Sequence, residues 1–281
     1  MTRHLFAMDN AFRNSLGEYP LETRCAVLAE LGYDGVYMNV SIDSAHAWED
    51  VERLHEVTTD YDLATTSVYT SVDLTDADAV DRSLDLLDAV DGDPLVEYAL
   101  RNPTHEPSDP AGDERAERFI GRALDRAESR DLEVVLYPHF SFWLERVEDG
   151  VRLCETIDHP RLGVAFCGYH WYVVDGTASA LEGRLADAAP HLRSANLCGA
   201  RHRSADDGLP ATIEPLDAGE LDNFALLGAL DRVGFDGPIG IQSYSVGGDP
   251  YTKLERSYRT FRAMERRLEE RPSWTDIRFT S

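Results

Sequence analysis

Lysine is nearly absent from this chain: of its 27 basic residues only Lys253 is not an arginine, and 52 Asp and Glu leave a net charge of −25. No stretch gathers the basic side chains into a stripe, so the electrostatic footprint of a nucleic-acid binder is missing. Lysine avoidance with acid excess reads as adaptation to a salt-rich cytoplasm, because at about 1 M salt the Debye length falls to about 3 Å and surface carboxylates cease to repel one another. An acidic protein kept soluble by its charge is the plainer alternative. Cysteine is scarce as well. Cys25, Cys154, Cys167 and Cys198 form no close pair, which argues against a disulfide framework or a zinc knuckle. No apolar run approaches the ~18 residues of a membrane span. The G-x-G-x-x-G turn of an open dinucleotide-binding sheet does not follow the first candidate strand. The expectation is a cytoplasmic chain with reduced thiols and no membrane partner.

What is present is ordinary globular material, 43% hydrophobic and 28% charged in 281 residues, a length that suits one α/β barrel of roughly 250 residues. Short β-rich runs at 4–8, 35–40, 64–68, 95–100, 133–137, 162–166, 192–196 and 239–242 alternate with helical patterns near 20–31, 48–60, 76–90, 113–130, 147–157, 178–189, 220–233 and 251–270. Such alternation implies a parallel sheet. Within the fourth helix Phe119, Ile120, Ala123, Leu124 and Ala127 recur at helical spacing, one apolar stripe for packing on that sheet. Gly32-Tyr33-Asp34-Gly35 and Gly234-Phe235-Asp236-Gly237 echo each other before the second and eighth strands. Each glycine can supply the left-handed turn after a helix, and each aromatic ring can cover the barrel bottom. The fold class expected is therefore a (β/α)8 TIM barrel over residues 1–271 with a tail over 272–281. Trp274 and Phe279 in that tail hint at docking, on a neighbour or on the chain's own barrel, and a homodimer is one option for the assembly. The loops 102–112 and 199–213 are long enough to rim the face where the strands end.

Barrel chemistry sits at the C-terminal ends of the strands. There the fifth strand runs into Tyr137-Pro138-His139 and Trp143, and the sixth into Cys167-Gly168-Tyr169-His170-Trp171. Asn196 and Cys198 follow the seventh, Gln242 and Tyr244 the eighth, and the fourth carries Glu97 and Arg101. Histidines move protons near neutral pH, and aromatic faces pack on the C–H faces of sugars. Each histidine alone is as readily a hydrogen-bonded structural residue; two at adjacent strand ends point to a polyol site.

Leu136-Tyr137-Pro138-His139, Gly163-Val164-Ala165-Phe166-Cys167-Gly168-Tyr169-His170, Pro215-Leu216-Asp217-Ala218-Gly219 and Gly237-Pro238-Ile239-Gly240-Ile241-Gln242 together resemble the sugar phosphate isomerase/epimerase group of xylose-isomerase-like barrels. That resemblance implies a divalent metal held by Glu on the fifth strand, Asp on the sixth, His on the seventh and Glu on the eighth. Those positions fall here on Tyr137, Cys167, Asn196 or Cys198, and Gln242. His139 and His170 alone match the pattern. Hard ions need anionic oxygen, so the family's usual cofactor is in doubt, and His139 and His170 remain only weak metal candidates.

The leading expectation is an isomerase, epimerase or lyase acting on a small sugar or cyclic polyol by proton transfer next to a carbonyl. His139, His170 and Glu97 are its catalytic candidates. Tyr137, Trp143, Cys167, Trp171, Asn196 and Gln242 are its substrate-binding candidates, with Tyr137, Trp143 and Trp171 as walls. A zinc ion on His139, His170, Glu97 and Cys167 is a variant of that picture. A non-catalytic carbohydrate-binding or regulatory barrel is the alternative. An endonuclease IV-like repair nuclease is a weaker one, for want of metal ligands and basic surface.

Overall fold

The computed structural model describes residues 2–176, 181–203 and 209–277. Eight parallel strands close on themselves: β1 (Leu5–Met8), β2 (Gly35–Asn39), β3 (Ala64–Asp73), β4 (Leu95–Arg101), β5 (Glu133–Leu136), β6 (Leu162–Cys167), β7 (Leu192–Leu197) and β8 (Ile239–Ile241). Each pairs with its sequence neighbours, and β1 joins β8 through Leu5 opposite Ile239 and Phe6 opposite Gly240. Helices α1 (Leu21–Leu31), α2 (Ala45–Asp60), α3 (Ala77–Ala89), α4 (Asp113–Arg130), α5 (Val147–Ile157), α6 (Gly168–Val174), α7 (Leu181–Ala188), α8 (Asn223–Arg232) and α9 (Pro250–Glu270) connect the strands and follow the last. This is the (β/α)8 architecture expected from the alternation of elements.

Local chemistry explains the element ends. Ser44, Asp76, Asp222 and Asp249 each accept a hydrogen bond from a first-turn backbone N–H of the helix they precede, satisfying donors that have no partner within the helix. Gly32 closes α1 at φ 86°, and Gly234 follows α8 at φ 75°. Both echo motifs thus take the left-handed turn that the glycine permits. The Tyr33 hydroxyl donates to Leu254 O, tying the first of these turns to α9. In α4 the five stripe residues are all buried.

The structure differs from the sequence reading in several places. β3 runs to Asp73, pairing with β4 as far as Asp73 opposite Arg101; its Ser-Thr content hid the strand, because Thr70 Oγ1 is buried and donates to Val40 O. Residues 168–174 are a short helix, α6, not the mouth of a strand. The presumed loop 199–213 contains an antiparallel hairpin, Gly199–His202 with Ala211–Glu214. The tail turns back as a 3-10 helix, Pro272–Thr275, whose Thr275 is buried beside Gly228 of α8. Trp274 stays 64% exposed, and Phe279 lies outside the described residues.

The barrel interior tolerates little extra volume at β8. A methyl group on Gly240 would come within 2.2 Å of Asn196 Oδ1 and 2.3 Å of the Phe6 ring. Gly240→Ala therefore loses about 1–3 kcal/mol by overpacking, read as a lower urea midpoint; an unchanged midpoint would mean that the barrel relaxes freely there.

Candidate active site

Strand alternation sends every second side chain inward, and at the C-terminal end these side chains surround a cavity of about 370 Å³. Met8 and Asn10 come from β1 and the turn after it, Tyr37 and Asn39 from β2, and Tyr69 and Ser71 from β3. Tyr137, His139, Phe140 and Phe142 follow β5; Tyr169 and His170 follow β6; Gln242 and Tyr244 follow β8. Leu209 and Ile213 of the hairpin region complete the wall. No Asp, Glu, Lys or Arg is among these lining residues.

The two histidines meet. Their ring centroids are 4.0 Å apart, and His139 also stacks on Phe142 at 4.1 Å. His139 Nδ1 lies 2.7 Å from Phe140 O, which can only accept, so the Nδ1–H donates. His170 Nδ1 accepts from Phe140 N–H at 3.2 Å. Burial pushes His139 down to about 4 and His170 well below its ordinary value, the latter helped by His139. Both rings are therefore neutral at pH 7, and one proton per ring fixes the tautomers. His139 presents a bare Nε2 lone pair. His170 carries its proton on Nε2, which is buried with no hydrogen-bond partner among the described residues. One residue, Phe140, sets the opposite polarity of both rings through its carbonyl and its amide.

Beneath the cavity lies a tyrosine layer. Tyr37 stacks on Phe6 at 5.8 Å and faces Tyr69 at 6.0 Å, and Tyr69 meets Tyr137 edge-on at 5.0 Å. Gln242 Oε1 accepts from Asn10 Nδ2 at 3.4 Å, which leaves the Gln242 amide N–H groups as its free donors. Of the residues expected from sequence, Tyr137, His139, His170 and Gln242 line the cavity together. Glu97, Cys167 and Asn196 are buried but absent from its lining. The expected aromatic walls are corrected in two places. Trp143 is turned away, its Nε1 donating to Asp109 O at 2.9 Å. Trp171 lines a separate small chamber behind His170. Phe140, Phe142, Tyr69 and Tyr169 supply the aromatic surface instead. Asn10, Asn39, Tyr69 and Ser71 were missed, although the period-2 pattern through 37, 39 and through 67, 69, 71 carried the signal for three of them.

Glu97 stands inside the barrel, its Oε1 accepting from Ser194 Oγ at 2.8 Å and from Ser67 Oγ at 3.2 Å. Burial raises it to about 7, offset in part by Ser194, Tyr37 and Ser67. A carboxyl raised in the folded state adds stability that is complete below its unfolded value of about 4.5 and is lost as pH climbs through 7. Depressed His139 acts oppositely, its contribution present above about 6.5 and lost as pH falls through 4. The two slopes overlap and partly cancel in the native protein. Comparison with Glu97→Gln exposes the first: the stability of the wild type relative to the variant falls by on the order of 3 kcal/mol between pH 4.5 and 8, read as the difference in thermal midpoints. A pH-independent difference would show that Glu97 ionises normally.

The positions at which the resemblance implies metal ligands carry a phenol (Tyr137), a thiol (Cys167) and amides (Asn196 and Gln242). Among the described residues no group of three or more His, Cys, Asp or Glu is disposed to hold a metal ion. No helix among the described residues is long and apolar enough to cross a membrane.

The family model described as xylose isomerase-like TIM barrel matches residues 25–264. The chain belongs to this family. Among characterised relatives of this xylose isomerase-like barrel, a ketose 3-epimerase of Arthrobacter globiformis is 26% identical over 153 residues, 53% of this chain and 48% of the epimerase. A 2-oxo-tetronate isomerase of Cupriavidus necator (strain H16) is 30% identical over 101 residues, 36% of this chain and 34% of the isomerase. The matching segments thus span half or less of the length of these relatives. A solved L-ribulose 3-epimerase superposes with a TM-score of 0.76 over 100% of both chains at 14% identity, a likeness of fold.

Proposed function

We propose that this xylose isomerase-like barrel isomerises or epimerises a small sugar or cyclic polyol by moving a proton next to a carbonyl, without a carboxylate-held metal. The observation that carries this reading is the opposed tautomers of His139 and His170, side by side on the cavity wall. His139 Nε2 takes the proton from the carbon beside the carbonyl. The electron pair moves onto the carbonyl oxygen, to which His170 Nε2–H donates a hydrogen bond as charge develops there. A neutral imidazole suffices as that donor. Return of the proton by His139 to the former carbonyl carbon, with the neighbouring hydroxyl proton passing to the former carbonyl oxygen, gives isomerisation; epimerisation takes the opposite-face proton from water while His139 releases its own to solvent. Phe142, Tyr69 and Tyr137 pack on the C–H faces, and Gln242, Asn10, Asn39 and Ser71 bond the hydroxyls.

One observation favours a second reading, a carbohydrate-binding barrel without turnover: among the described residues the cavity lining holds no carboxylate base, and His139, held at about 4, is a weak one. Proton exchange separates the two. Chelator-treated protein is incubated in D2O with D-fructose, D-allulose, L-ribulose and a 2-oxo-tetronate, and deuterium at the carbon beside the carbonyl is followed by NMR. Deuterium incorporation that survives chelation supports the proposal. Binding without incorporation would leave the second reading, and incorporation only after a divalent metal is restored would overturn the metal-free route.

A further inference from the structure

Resting on the proton-transfer reading above, we propose that the side of the cavity walled by Tyr169, Leu209 and Ile213 is a subsite for an apolar group carried by the sugar. The substrate class it selects is an uncharged glycoside with an aromatic or alkyl aglycone and its carbonyl on a ring carbon.

The cavity lining divides along the order of the strands. Gln242, Asn10, Asn39 and Ser71 stand on or just after β8, β1, β2 and β3, four consecutive strands of the closed barrel, and supply amides and a hydroxyl. Asn10 and Gln242 are buried and share a hydrogen bond. Asn10 Oδ1 has no partner among the described residues, which makes it an acceptor available to a ligand hydroxyl. The facing strands, β5, β6 and β7, lead into a different surface: Phe140 and Phe142, then Tyr169, then Leu209 and Ile213 of the hairpin region. His139 and His170 stand on this second side. Tyr169 presents its ring rather than its hydroxyl, because the hydroxyl donates to Ala211 O at 3.1 Å. That ring lies edge-on to His170 with centroids 5.3 Å apart, so the apolar side begins next to the reacting carbons.

Size and exposure point the same way. A hexose at the packing density of an organic crystal takes up roughly 200 Å³, and the cavity holds about 370 Å³. The remainder, on the order of 170 Å³, accommodates one further ring. With the sugar seated on Phe142, Tyr69, Tyr137 and the amides, Tyr169, Leu209, Ile213 and Tyr244 are left facing that space. Leu209 and Tyr244 are 41% and 53% exposed. Large apolar side chains kept in solvent around one cavity mark a ligand-binding rim. Among the described residues no Asp, Glu, Lys or Arg belongs to the lining, and Arg101, 5.9 Å from the Phe142 ring centroid, lies outside it. A phosphate or carboxylate would lose hydration there without gaining a cation, whereas an apolar group gains by leaving water. A glycosidic bond ties up the anomeric carbon, so the carbonyl that His139 and His170 act on sits at another ring carbon. The C–H beside that ketone supplies the proton His139 removes, and the chemistry stays as written above.

The test is titration calorimetry on the chelator-treated full chain with methyl and phenyl 3-keto-β-D-glucopyranoside, and with D-allulose and its 6-phosphate. The phenyl glycoside is expected to bind roughly 10- to 50-fold more tightly than the methyl one, the gain from removing one aromatic ring from water. In Leu209→Ser and in Tyr244→Ser, both at the exposed rim, that ratio should drop by about threefold or more. The 6-phosphate should bind no more tightly than D-allulose. Equal binding of the two glycosides, no binding of either, a ratio unchanged in both variants, or tighter binding of the phosphate would overturn the subsite. The same samples in D2O keep the two readings apart. A phenyl preference without deuterium entering beside the ketone sustains the subsite and sinks proton transfer; exchange with D-allulose and no phenyl preference does the reverse.

Discussion

His139→Asn abolishes proton exchange at the carbon beside the carbonyl, by a factor of about 10²–10⁴, while ligand-induced stabilisation by the same sugar persists. The argument rests on polarity. His139 Nδ1–H is committed to Phe140 O, and Nε2 is its only lone pair in the site. Asparagine restores a donor to the Phe140 carbonyl and cannot take up a proton, so the variant separates base chemistry from packing. The pH dependence follows the same ring: with His139 at about 4, the wild-type rate stays level down to roughly pH 5 and declines below it as the lone pair is protonated. A rate already falling at pH 6.5 would assign the base to an exposed histidine elsewhere. Thermal shift with D-allulose and NMR exchange in D2O provide the two readouts, and retention of exchange in His139→Asn would remove the base from the mechanism altogether.

The largest expected stability effect lies at Arg24→Met. Arg24 is 0% exposed and bonds Asp9 at 3.1 Å and Asp50 at 2.9 Å, with Glu18 at 3.0 Å completing the cluster. Methionine fills much of the arginine stem's volume and leaves buried carboxylates without their cation, a change that costs about 3–5 kcal/mol. For a domain of this size that corresponds to a fall of roughly 6–20 °C in the thermal midpoint. The deficit should shrink at pH 5, because burial already raises Asp9 to about 6 and its protonated form needs no counter-ion. The effect reaches the cavity too. Asp9 Oδ1 accepts from Asn39 N, and Asn10 and Asn39 both line the site, so sugar binding should weaken together with stability. A midpoint within 2 °C of wild type, on the scale of those same few degrees per kcal/mol, would show that the carboxylates find water instead.

Much of the fold was legible because it follows from local periodicities. The strands begin within one residue of the expected positions, since alternation of β-rich and amphipathic segments reports burial directly. Gly32 and Gly234 were recognisable because a left-handed turn selects glycine. The cavity was half legible: Tyr137, His139, His170 and Gln242 stand at strand ends, where barrel chemistry is expected. Trp143 and Trp171 misled because an aromatic residue next to a histidine reads as a wall, whereas the loop after β5 turns Trp143 back onto Asp109 O. Glu97 was singled out as a catalytic residue, but its depth below the cavity floor depends on strand stagger around the closed barrel.

The sequence by itself determined the order of elements, the parallel barrel and the acid excess, because each is a property of residue type and spacing along the chain. The tertiary structure alone decided which ring nitrogens carry protons and which carboxyl is raised toward neutral pH. Those depend on a single amide of Phe140 reaching His170, its carbonyl meeting His139, and two serines from distant strands reaching Glu97. Hydrogen-bond partners and dielectric are set by neighbours in space, and the chain's order holds no record of them until the barrel closes.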